Sequence, residues 1–153
     1  DRSPSRGLGD VYKRQVQKNM KGSYCLIINV EKDTKIKIGK KLGIINFKKG
    51  CYVYVGSAMN SLESRVKRHL SDNKKKHWHI DYLLLNKNSK IEKIYTKESG
   101  EKLECEIAKK IIENEESIAD FGCSDCKCHS HLIYFKNSKL ANLKVSSILN
   151  SFD

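Results

Sequence analysis

GCYVYVGSAMNSLESRVKRHLS, residues 50–71, changes its period halfway along. Up to Ala58 the side chains alternate, with Cys51, Val53 and Val55 on one side and Tyr52 and Tyr54 on the other, as in a strand covered on both faces. From Ser61 the spacing is helical, with Leu62, Val66 and Leu70 recurring every four residues. Asn60 can cap that helix, with Glu63 three residues further on. A covered strand leading straight into an amphipathic helix predicts a sheet with helices laid on it.

The flanking sequence extends this pattern. Upstream, YCLIINV (24–30) is an apolar run that reads as a buried central strand. EKDT turns the chain, and KIKI (35–38) alternates as a half-buried partner strand. Gly39 and Gly43 punctuate a crossing segment. Downstream, HWHIDYLLLN (77–86) reads as a short buried helix; as a strand it would put His77, His79 and Asp81 on one face. KIEKIYT (90–96) is a strand, EKLECEIAKKIIENEE (101–116) the clearest helix, HLIYF (131–135) a strand. ANLKVSSILNSF (141–152) is a closing helix packing through Val145, Ile148 and Phe152. The order βββα(α)βαβα predicts an α+β fold, with helices on a small mixed or antiparallel sheet.

Residues 1–19 lack any period and hold the single proline, Pro4. They are expected to be a non-native or disordered leader, or else a basic arm, with one domain over 20–153. A 153-residue chain with 39% hydrophobic and 31% charged residues has a globular composition. No apolar run approaches the ~20 residues that span a bilayer. The net charge is +12, and the five Lys/Arg and two Asp of the leader leave +9 for the remainder. That surplus points to a polyanionic partner, nucleic acid ahead of an anionic membrane surface, against the plain alternative of solvated lysines. Six cysteines without a visible secretory signal point to a reducing, cytoplasmic setting.

Three clusters could carry chemistry. In the 101–116 helix, Leu103, Ile107, Ala108, Ile111 and Ile112 share a face with Glu104, whereas Glu106 falls on the polar side. A carboxylate in an apolar stripe calls for an ion-pair partner or a metal. Arg65 and His69, four apart on one flank of their helix, can meet at one point, to bind a phosphate and relay a proton. Arg68 faces away, towards solvent or a nucleic-acid backbone, and the run Lys74, Lys75, Lys76 is either solvated or tracks phosphates. In CSDCKCHSH, Cys123, Cys126, Cys128 and His131 are candidate Zn²⁺ ligands, with a distant group such as His79 as a substitute for Cys123. The competing reading is a set of packed thiols. His79 and His77 could equally contact phosphate or pack beside Trp78.

GSY at Gly22–Tyr24 and YVG at Tyr54–Gly56 resemble the two signature tripeptides of the GIY-YIG nucleases, and Arg65 and Glu104 follow in that family's order. GCYVYVGSA, RVKRHL, HWHIDYLL, LECEIA and FGCSDCKCHSHLIYF resemble a small archaeal-type branch, the Uri-type endonucleases, long catalogued as a domain of unknown function. Ser23 stands where the first tripeptide usually has Ile, and the tripeptides are separated by an inserted hairpin around KIKIGKKLG. The resemblance implies metal-dependent hydrolysis of phosphodiester bonds, in DNA ahead of RNA; the alternatives are a non-catalytic nucleic-acid-binding module on the same fold, or a zinc-stabilised interaction domain with a protein partner in repair. It implies Tyr24 or Tyr54 activating water, Arg65 neutralising phosphate charge, His69 relaying a proton, and Glu104 holding Mg²⁺ or Mn²⁺, with Glu106 as competitor for that last role. Phosphate contacts would come from Arg68, Lys74, Lys75, Lys76 and His79.

Overall fold

The computed structural model describes residues 20–123 and 126–152; the leader expected over residues 1–19 lies outside them. Strand β1 (Gly22–Val30) is central, as its unbroken apolar run requires. It pairs antiparallel with β4 (Gly50–Ala58) on one side and β5 (Ser89–Glu98) on the other. Beyond β4 lie β7 (Leu132–Phe135) and the two-residue β6 (Glu116–Ser117), so the sheet order is β5-β1-β4-β7-β6 and every pairing is antiparallel.

Alternation along β1 and β4 divides the core in two. Tyr24, Leu26, Ile28 and Tyr52 pack under α2 (Leu62–Leu70) and α3 (His79–Leu84), meeting Leu62, Val66, Ile80 and Leu83. Cys25, Ile27, Val53 and Val55 face the opposite way, against Ile107 and Ile111 of α4 (Glu104–Ile112) and Ala141, Val145 and Leu149 of α5 (Ser138–Asn150). The result is an α+β, three-layer arrangement in which each fully buried aliphatic side chain contributes roughly 1.5–3 kcal/mol.

Several expectations are corrected. KIKI lies in β2 (Thr34–Ile38), which pairs not with β1 but with β3 (Gly43–Phe47), across the four-residue turn α1 (Gly39–Leu42). Both edges of β1 are already taken, so this half-polar hairpin forms its own two-stranded sheet. Ile36, Ile38 and Phe47 turn to the core, while Lys35 and Lys37 stay exposed. Helix α2 is capped by Ser61, whose Oγ accepts from the Ser64 amide at 3.2 Å, rather than by Asn60. Helix α4 starts at Glu104 instead of Glu101, which puts that carboxylate in the first turn, where the helix dipole favours a negative charge.

Two glycines are fixed by close approach. In the β1–β4 register Tyr24 stands across from Gly56, and a Cβ at Gly56 would lie 2.4 Å from the Tyr24 hydroxyl oxygen. At Gly22, with φ +156°, a Cβ would lie 2.1 Å from the Lys97 carbonyl oxygen. Gly56→Ala should therefore destabilise the fold by about 1–3 kcal/mol through overpacking. Gly100→Ala, where an added Cβ meets nothing within 4 Å, should fall within roughly 0.5 kcal/mol of the parent. Denaturant unfolding of both variants checks this, and equal midpoints would contradict it.

Candidate functional site

Strand β4 ends beneath the start of α2, and the first turn of α4 rises beside it. Between these elements and α3 opens a cleft of about 540 Å³, lined by Tyr24, Tyr54, Arg65, His79, Glu104 and His131 among others. The side chains that the resemblance assigns to catalysis thus border one cavity, apart from His69, which sits just behind it. The Tyr24 hydroxyl is 2.6 Å from His69 Nε2, and both side chains are buried. Tyr54 packs edge-on to His69 and tilted against Tyr24.

Burial sets the protonation of this group. It pushes the Tyr24 phenol up, only partly offset by Arg65, and pushes Tyr54 well above its ordinary range, with the neighbouring Tyr24 adding to the effect. His69 is pushed down to about 3, by burial first and by Lys74 next, so its ring is neutral. Its Nδ1 is buried with no hydrogen-bond partner. Tyrosine and histidine are therefore both uncharged at neutral pH, joined by one short hydrogen bond.

Arg65 donates to the Ser57 carbonyl at 2.9 Å, and the Ser57 hydroxyl donates to Glu104 Oε1 at 2.8 Å. Glu104 is 18% exposed and lies 3.7 Å from Lys102 Nζ and 3.6 Å from His131 Nδ1. Glu106 is exposed on the outer side of α4, as the helical phasing predicts.

Arg68 has a different role from the expected one. Its guanidinium forks onto Asp81 at 2.9 and 2.8 Å, and the Asp81 side chain is fully buried. Burial alone would raise the Asp81 carboxyl; the Arg68 bonds and the Trp78 and His77 amides outweigh it and hold it below the carboxylate range. Solvent exposure fails for Arg68 because the aspartate of α3 needs a cation. Trp78 contacts both arginines, its ring centre 4.5 Å from the Arg65 guanidinium carbon and 4.2 Å from that of Arg68. Lys74 donates to the carbonyls of Arg68 and His69, closing the end of α2, while Lys75 and Lys76 are exposed. His79 borders the cleft, but its Nδ1 accepts from the Gly122 amide at 2.9 Å.

A group of side chains able to hold a metal adjoins the cleft. One ligand atom from each of Cys105, Cys126, Cys128 and His131 falls within 4.8 Å of all the others, so the four could hold a metal ion. Cys105, from the first turn of α4, takes the place expected for Cys123 or His79. The Cys123 thiol instead donates back to the Phe121 carbonyl. Four ligands from one short run would crowd, and helix α4 supplies the fourth. Sequence reading missed Cys105, although it directly follows Glu104, and it missed Ser57 and Trp78 as site residues.

A family model described as a domain of unknown function, DUF123, matches residues 23–153. The chain belongs to the DUF123 family. Neither the curated proteins nor the solved structures contain a match to it. Among the described residues of this DUF123 chain, no helix is long and apolar enough to cross a membrane.

The Tyr24–His69 pair gives the protein an acid sensitivity. Unfolded histidine takes a proton near 6.5, whereas His69 in the fold resists it until about 3. The unfolded state therefore binds more protons in that window, and stability should fall as pH drops from 6.5 towards 3, by up to about 1.4 kcal/mol per pH unit. His69→Gln keeps an acceptor for the Tyr24 hydroxyl without titrating. Its unfolding free energy should vary less between pH 6.5 and 4 than the parent's, and matching slopes would contradict the assignment.

Proposed function

We propose that this DUF123 chain is a metal-dependent endonuclease of the GIY-YIG kind, hydrolysing phosphodiester bonds in nucleic acid, DNA ahead of RNA. The supporting observation is the meeting of Tyr24, Tyr54, Arg65 and Glu104 around one open polar cleft, although they come from two strands and two helices. The +12 net charge of the chain suits a polyanionic substrate. We read the Cys/His group as a Zn²⁺ site, since three sulfurs and one imidazole nitrogen gathered within 4.8 Å of one another are the ligand types and number of a closed zinc shell.

The roles follow from the surroundings of each group. Arg65, with its guanidinium over the Trp78 ring and anchored on the Ser57 carbonyl, presents its remaining N–H groups to the scissile phosphate as negative charge builds there. A divalent cation held by Glu104 would supply Lewis-acid stabilisation and lower the pKa of water. Neither tyrosine rests as a phenolate, so Tyr24 can accept a proton from the attacking water only as it passes its own to His69 Nε2. The water oxygen then bonds to phosphorus as the bond to the leaving oxygen breaks, the leaving oxygen takes a proton from solvent water, and His69, which resists protonation in the fold, returns its proton through Tyr24. Gly56 leaves room for the Tyr24 ring, and Ser57 fixes one oxygen of Glu104.

Glu104→Gln should abolish cleavage of plasmid DNA in Mg²⁺ or Mn²⁺ while leaving DNA binding nearly intact, because the amide keeps the shape but removes the charge that holds the cation. Glu106→Gln should cleave like the parent. Activity that survives both Glu104→Gln and chelation would rule the reading out.

Binding itself should weaken steeply with salt. Each lysine– or arginine–phosphate contact on duplex DNA contributes about −0.9 to the slope of log affinity against log salt. A titration of Glu104→Gln with labelled duplex between 50 and 200 mM salt, concentrations on the order used for such slopes, measures it. A flat response would point to a protein or small-molecule partner instead.

A further inference from the structure

The Cys/His group and the cleft share His131. His131 is anchored by its backbone, which accepts from the Val55 amide at 3.0 Å and donates to the Phe121 carbonyl at 2.9 Å. Its ring is buried and points two ways. Nε2 lies 3.5 Å from Cys126 Sγ and 3.8 Å from Cys105 Sγ. Nδ1 lies 3.6 Å from Glu104 Oε2. A tetrahedral shell with Zn–S about 2.3 Å and Zn–N about 2.0 Å places neighbouring sulfur and nitrogen atoms about 3.5 Å apart, so Nε2 is the ligand atom and Nδ1 the outward one.

We propose that zinc bound by Cys105, Cys126, Cys128 and His131 orients Glu104 through His131, making the Cys/His site the positioning device of the cleft carboxylate. This rests on reading the Cys/His group as a zinc site. With Nε2 bonded to zinc, the ring proton must sit on Nδ1, facing Glu104. Loading releases the thiol protons of the three cysteines to solvent and fixes this tautomer. Glu104 is then held from two sides, by the Ser57 hydroxyl on Oε1 and the His131 N–H on Oε2, with only a small side-chain rotation needed to bring the second to hydrogen-bond length. Without zinc the ring is free to adopt the other tautomer, which sets the Nδ1 lone pair against the carboxylate and releases it. Cys105 reinforces the link, because a zinc–sulfur bond at that residue clamps the turn of α4 that carries Glu104.

Carboxylate, histidine and zinc in series are coupled in both directions, so removing the carboxylate charge should weaken zinc. The purified chain should hold one zinc per molecule by elemental analysis. In competition with a chelating dye, Glu104→Gln should bind zinc roughly 10–100-fold more weakly than the parent, while Glu106→Gln matches it. His131→Cys offers four sulfurs and should still bind zinc. In that background adding Glu104→Gln should change zinc affinity little, because the connecting imidazole is gone. A protein that binds no zinc overturns the proposal. So does a Glu104→Gln effect that is absent in the parent background or equally large in His131→Cys. These readouts use no cleavage, so a zinc-coupled but non-cleaving chain would retain this inference while refuting the nuclease reading.

Discussion

Tyr24 lies directly across the central ladder from Gly56, and the missing side chain at Gly56 is what admits the tyrosine ring. The rest of the cleft follows from that contact. With the ring seated there, its hydroxyl reaches His69 on α2, which fixes how far that helix sits above the sheet. The seating of α2 in turn carries Arg65 to the Ser57 carbonyl one residue beyond Gly56. A one-residue slip of β1 against β4 would move every even-numbered side chain of β1 to the α4–α5 side and dissolve the site along with the core.

Much of this was legible because it rests on periodicity. The central run of β1, the alternation of β4 and the four-residue spacing of α2 each have one comfortable reading, and α3, short and apolar nearly all round, still packs as a helix. The placement of Glu104 near the core and Glu106 in solvent also followed from helical phasing. What stayed hidden depends on which strands run out of partners. KIKI alternates whether it pairs with β1 or with β3, and only the occupation of both β1 edges decides between them. Arg68 looked solvent-facing because nothing in its own helix reveals a buried aspartate arriving from α3.

The Cys/His group was half legible for the same reason. Density of ligands along CSDCKCHSH is a local signal, but the helix residue that completes the set, Cys105, lies outside that run, and its neighbours in sequence are two glutamates, Glu104 and Glu106. Trp78 was equally concealed: its ring meets two arginines from the same helix, one bordering the cleft and the other paired with Asp81.

The ten-residue strand β5 has a consequence for the molecule in a crowded solution. It stands at the margin of the sheet, paired with β1 along one side only, and a long unpaired margin is a template on which other chains can assemble. Lys90, Glu92, Lys93 and Glu98 project charge along it, and a register shift opposite Ile27 and Ile28 bends the ladder out of regular pairing. A second chain approaching this margin would have to bring its own strand up against those charges and follow that bend. Charge of both signs and that bend thus work against intermolecular sheet growth along β5.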